Sequence, residues 1–233
     1  MTVMTHLVTD PHSSPEPEDY EPEAPPVERH RKSRFGTAFR EVAETLLLAL
    51  FIYLTVRAVV QNFKVEGSSM DPTLHHGQYL LVNKAAYMSV DLEEAERVAP
   101  FLARLPDVKV HPFGLPKRGD IVVFRYPRDP SRDFIKRVVA LPGETVEIKA
   151  GQVYVNNQRL EEPYIMDNPT YSRESQPVPA DHYFVLGDNR NNSSDSHVWG
   201  PVPLYHVIGK AWLTYWPISA WGSIPDHAAF ASR

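Results

Sequence analysis

Cysteine is absent from the 233 residues. That excludes a disulfide framework, a thiolate metal site and a cysteine nucleophile together. Basic excess is missing too: the net charge is −5 and the pI about 6.1, whereas a nucleic-acid binder usually presents a basic face. No nucleic acid is therefore expected as a partner. No repeat of solenoid length recurs. Glycine is sparse, at 11 against 22 prolines, and the prolines crowd the N-terminal tail and the gaps between short apolar runs. There is one long apolar run.

Residues 1–34 are rich in Pro, Glu and Asp, and end in a basic cluster of Arg29, His30, Arg31, Lys32 and Arg34. Such a composition buries too little to offset its ordering entropy, so a disordered tail is expected. The run that follows reads VAETLLLALFIYLTVRAVV. As a helix its 19 or so residues span roughly 28 Å, close to the hydrocarbon thickness. Glu44 and Arg57 lie near its ends, where long side chains snorkel to the interface. A core helix of a soluble protein, or a cleaved leader, fits less well. A single membrane anchor over 38–61 is expected. The basic cluster before it predicts a cytoplasmic N-terminus, with residues 62–233 on the outer face of the plasma membrane.

That outer part reads as β. Runs at 79–84, 120–126, 134–141, 145–149, 152–156, 182–186 and 205–215 are rich in Val, Ile, Tyr and Phe. Turn residues separate them, such as Pro142-Gly143 and Asn156-Asn157. No helical pattern alternates with them, so a mainly β, antiparallel core is expected. The proline-broken stretch over about 90–116 reads as a surface insert.

Four segments carry candidate chemistry. In Gly67-Ser68-Ser69-Met70-Asp71-Pro72-Thr73-Leu74, small residues and a proline make the chain turn and present a hydroxyl. A serine needs a base to take its proton. Lys136, in Asp133-Phe134-Ile135-Lys136-Arg137-Val138, sits among apolar neighbours that disfavour its charge. The third segment is the polar loop Gly187-Asp188-Asn189-Arg190-Asn191-Asn192-Ser193-Ser194-Asp195-Ser196, and the fourth His75-His76. Alone, each reads as well or better as something ordinary: a polar turn, a solvated strand lysine, a salt-bridged loop. Adjacent histidines point to opposite sides of a strand, which speaks against a joint metal site.

Together and in order, these segments resemble the type I signal peptidases. The resemblance runs through Ser69-Met70-Asp71-Pro72-Thr73-Leu74, Arg118-Gly119-Asp120-Ile121-Val122, Phe134-Ile135-Lys136-Arg137-Val138 and Gly187-Asp188-Asn189-Arg190 through Ser196. It implies an antiparallel β catalytic core working by a Ser–Lys dyad, with Ser69 as nucleophile and Lys136 as general base. It implies Ser193 as the hydroxyl that orients the lysine, with Asp195, Arg190 and Arg137 in support. The oxyanion donor is then the Ser69 backbone N–H. Some members add a hydroxyl two positions earlier; here that position is Gly67. Phe63, Val65, Leu74 and Ile135 are implied as the pockets that take small residues before the cut. No cofactor or metal is expected, and the partners are secretory precursors bearing signal peptides, met at the lipid bilayer. His197 stands where the family often has an arginine. Trp212, Trp216, Ile218 and Trp221 read equally as an interfacial seat or as core. Soluble self-cleaving repressors share the dyad, but the anchor and acidic tail do not suit them. The other alternative is an anchored, non-catalytic β-domain that binds partners.

Overall fold

The computed structural model of the chain describes residues 34–91, 109–227 and 229–230. Nearly all of the tail expected over 1–34 therefore lies outside the described residues, and so does the middle of the insert, 92–108. The chain divides into two units, Met1–Leu47 and Leu48–Arg233.

The apolar run forms helix α1 (Arg34–Val59), and its portion Ala38–Val59 has a mean hydropathy of 1.9 with its side chains exposed. It is long and apolar enough to cross a bilayer. Arg40 pairs with Glu44 one turn on at 2.6 Å, which offsets part of the cost of that carboxylate. Thr45 and Thr55 donate to the carbonyls of Glu41 and Phe51. The helix ends two residues short of the expected anchor. Val60 and Gln61 already belong to β1 (Val60–Lys64), which pairs antiparallel with β2 (Tyr79–Asn83).

The remaining strands are β3 (Val90–Asp91), β4 (Lys109–Val110), β5 (Ile121–Tyr126), β6 (Asp129–Ala140), β7 (Thr145–Lys149), β8 (Gln152–Val155) and β9 (Gln158–Glu161). They continue with β10 (Arg173–Pro177), β11 (His182–Leu186), β12 (Val202–Pro203), β13 (Val207–Trp216), β14 (Gly222–Ser223) and β15 (Ala229–Phe230). A short helix, α2 (Ser196–Trp199), precedes β12. Every pairing is antiparallel, as expected. The larger sheet runs β1-β2-β13-β5-β6-β11-β12 with β14 on β13; the smaller runs β10-β7-β8-β9-β15. At the ends of the insert, β3 pairs with β4.

Alternation along β5 shows why the larger sheet is stable. Ile121 and Val123 belong to one buried cluster with Val65, Met70, Leu74, Leu80 and Val82. Val122 and Phe124 join Val138, Tyr183, Val185 and Val202 on the other face. A strand buried on both faces reads as the continuous apolar run seen in the sequence. A third cluster, including Val139, Phe184, Val146, Ile148 and Val153, joins the smaller sheet to the ends of β6 and β11. At the Asn156-Asn157 turn both residues have positive φ, as a tight hairpin requires. Trp212, Trp216, Ile218 and Trp221 are exposed, so they are surface and not core.

Candidate active site

The nucleophile turn is built on two buried anchors. Met70 and Leu74 are 1% and 2% exposed, and Leu74 N–H donates to Met70 O at 2.9 Å. Fixing Met70 inward leaves its neighbour Ser69 half-buried at the groove, while Ser68 is exposed. Gly67 holds φ +85°, a left-handed conformation that disfavours any side chain, and its N–H donates to His76 Nδ1 at 3.0 Å.

Lys136 arrives on β6. The register sets it opposite Val122, with Ile135 opposite Val123. Its Nζ lies 2.6 Å from Ser69 Oγ and donates to Ile135 O at 2.9 Å. The residue is 4% exposed, and burial lowers its pKa to about 8, against the opposing pull of the Asp195 and Asp188 charges. A largely desolvated amine beside a hydroxyl is the arrangement that makes a serine nucleophilic near neutral pH.

Behind the pair, Asp188 joins three distant segments. Arg137 grips it through Nε to Oδ1 at 2.8 Å and Nη2 to Oδ2 at 2.7 Å, both side chains fully buried. Thr73 Oγ1 donates to Oδ2 at 2.6 Å. The Arg137 guanidinium also donates to Gly119 O and lies 4.1 Å from the Tyr164 ring centroid. Arg190 forks onto Glu162 at 2.8 and 2.6 Å and donates to Gly187 O. Asp195 takes Gly187 N–H at 2.9 Å and faces His197 Nδ1 at 2.6 Å. Gly187 packs so closely that a Cβ there would sit 2.3 Å from Ser193 Oγ and 2.4 Å from Ser69 O. Asn189 N–H caps that same Ser69 carbonyl at 3.1 Å.

Two expectations meet a different geometry. Ser193 Oγ is buried beside Gly187 with no hydrogen-bond partner among the described residues, so it does not hold the lysine. The hydrogen bonds that Lys136 Nζ makes go to Ser69 Oγ and Ile135 O. Leu74 does not line this groove; it lines a separate surface pocket with His75, His76 and Trp216. Phe63, Val65 and Ile135 do line the groove, with Leu80, Val123 and Phe134, around a cavity of about 310 Å³. Glu162 and Tyr164 were not found from the sequence. Neither lies near a motif, and only the folded chain brings them to Arg190 and Arg137. Among the described residues no His, Asp and Glu side chains group as metal ligands, and His75 instead pairs with Asp71 at 2.6 Å.

Among the described residues, β6 has an unpaired edge where it lines the groove. β11 pairs with β6 only at Arg137, Val138 and Ala140, which leaves residues 133–136 paired on one side by β5. Residues 64–66 line the same groove. An extended peptide adds to such an edge through its main chain.

The signal peptidase family model, peptidase S26, matches residues 39–216. The chain is 36% identical over 212 residues to the signal peptidase I of Leptolyngbya laminosa, covering 87% of this chain and 93% of that one. It is 35% identical over 230 residues to the signal peptidase I of Pseudomonas aeruginosa, covering 80% and 76%. A solved signal peptidase I from Enterococcus faecalis is 35% identical at a TM-score of 0.39, over 42% of this chain and 97% of that one.

Proposed function

The chain belongs to the signal peptidase family, peptidase S26, a family of serine endopeptidases, and on that premise we propose how its residues act. Ser69 is the nucleophile and Lys136 the general base of a signal peptidase I. The observation that carries this is the 2.6 Å approach of Lys136 Nζ to Ser69 Oγ, with the lysine itself only 4% exposed.

Neutral Lys136 takes the Ser69 proton as Oγ attacks the scissile carbonyl carbon. The oxyanion forms against the Ser69 backbone N–H, the kind of fixed donor whose hydrogen bond strengthens as charge develops. Collapse breaks the C–N bond, and the Lys136 ammonium returns the proton to the leaving amine. Water, deprotonated by Lys136, then cleaves the acyl-enzyme ester. The serine–lysine pairing is one of the recurring variants of this chemistry.

The substrate is a secretory precursor bearing a signal peptide. It lies extended along residues 133–136 and 64–67. The shallow apolar floor of Phe63, Val65 and Ile135 takes small residues at the first and third positions before the cut, as in Ala-x-Ala. α1 anchors the enzyme in the plasma membrane, N-terminus in the cytoplasm, so that enzyme and substrate meet at high effective concentration. The exposed Trp212, Trp216, Ile218 and Trp221 suit the headgroup level of a bilayer. A purely binding β-domain would gain nothing from a buried lysine held on a serine hydroxyl.

Ser69→Ala and Lys136→Ala are each expected to lower cleavage of an Ala-x-Ala precursor about a thousandfold or more. Processing by either variant at the wild-type rate overturns the assignment.

A further inference from the structure

One residue grips the nucleophile turn from a distant part of the chain. Asn189, on the loop after β11, donates its backbone N–H to Ser69 O at 3.1 Å and its side-chain Nδ2 to Ser68 O, also at 3.1 Å. A carbonyl only accepts, so the side-chain amide must present its nitrogen there. The two carbonyls belong to the peptide units on either side of Ser69.

The unit joining Ser68 to Ser69 matters most. A trans peptide is planar, and its N–H points opposite to its C=O. Whatever fixes the Ser68 carbonyl therefore aims the Ser69 N–H. Asp71 N–H holds the same oxygen at 3.2 Å within the turn, and Asn189 adds a second donor from 121 positions away. A donor on a peptide oxygen also polarises the unit and strengthens the N–H at its other end. That N–H meets no carbonyl among the described residues. With no side chain at Gly67 to add a hydroxyl, an oxyanion here depends the more on its direction.

Asn189 itself stands on fixed footing. Its neighbours Asp188 and Arg190 are buried, one clamped by Arg137 and the other by Glu162. Gly187 approaches so closely that a Cβ there would lie 2.4 Å from Ser69 O. A group locked in this way can aim another without yielding to it.

We propose that Asn189 is a positioning residue for the reaction: its side-chain amide fixes the 68–69 peptide so that the Ser69 N–H points at the oxygen that becomes charged when Oγ attacks. The effect belongs to the transition state, because that donor is needed most once charge develops. The inference rests on Ser69 and Lys136 being the reacting pair.

The test compares wild type, Asn189→Ala, Asn189→Asp and Ser69→Ala as full chains in detergent, with a soluble Ala-x-Ala precursor. A peptide aldehyde ending in Ala-x-Ala is the second probe. Ser69 Oγ adds to its carbonyl carbon, the Ser69 proton passes to Lys136, and the former carbonyl oxygen carries the charge. Both Asn189 substitutions keep the backbone N–H on Ser69 O. Alanine removes the side-chain donor, whereas aspartate keeps the shape and sets an oxygen against the Ser68 carbonyl. The value of kcat is expected to fall about 10-fold in Asn189→Ala and about 100-fold in Asn189→Asp, with KM within about 3-fold of wild type. The inhibition constant of the aldehyde is expected to rise by a matching factor. Partial unfolding lowers kcat but leaves that constant where it was, so the aldehyde separates positioning from mere stability. An unchanged inhibition constant, or an aspartate variant more active than the alanine one, overturns the proposal. Should the aspartate variant not fold, the inhibition constant of the alanine variant decides alone. Wild-type processing by Ser69→Ala instead overturns the dyad itself, a different failure from an aldehyde that binds every Asn189 variant alike.

Discussion

At the scale of single residues, Lys136 has opposed effects on stability and on chemistry. Burial lowers its pKa to about 8 from an ordinary value near 10.4. Below pH 8 the amine is charged in both folded and unfolded chains, and the folded state bears the whole cost of burying it. Between about pH 8 and 10.4 the unfolded chain holds more protons, so stability rises with pH until the cost is gone. Lys136→Met is therefore expected to stabilise the protein by on the order of 3 kcal/mol at pH 7, with the gain fading above pH 10. Chemical denaturation of both proteins across that range checks it. Ser69 and Lys136, the proposed reacting pair, were paired in the sequence only by resemblance, since each alone read better as a polar turn and a solvated strand lysine; the fold sets them 2.6 Å apart. The bond expected from Ser193 was legible only by resemblance, and the structure turns that hydroxyl toward Gly187 instead. Glu162 left no local trace, since its partner Arg190 is 28 positions away and the pairing exists only in the fold.

At the scale of elements, the turn at 67–74, strand β6 and the loop 187–195 are held by charge as much as by packing. Asp188→Asn leaves Arg137 buried with its carboxylate gone, and a loss of about 3–5 kcal/mol is expected. Urea unfolding measures it, and a midpoint unchanged from wild type counts against the clamp. The seven apolar runs all became strands because alternation and turn residues agree there. β1 was hidden, since Val60 and Gln61 continue the apolar helix in sequence and only pairing with β2 pulls them into the sheet. β9 and β10 escaped for a related reason. QRLE and RESQP are polar and mostly exposed, and their strand character comes from the neighbours they pair with.

At the scale of the whole molecule, the proposed orientation rests on the basic residues at and before the start of α1. Replacing Arg29, Arg31, Lys32 and Arg34 by glutamate is expected to reduce the share of chains whose catalytic part faces outward. Protease accessibility of that part in intact cells reports the change; an unaltered pattern removes the basis for the orientation. The antiparallel β class was legible from spacing and composition alone. How β6 keeps a free edge was not, because a free edge depends on where β11 stops. One feature reaches further than the site. The carboxylate of Asp188 is shared by Thr73 and Arg137, residues brought from far apart along the chain. One carboxylate thus ties the serine turn to the lysine strand, so a single side chain far along the chain couples the positions of two segments that neighbour each other nowhere in sequence.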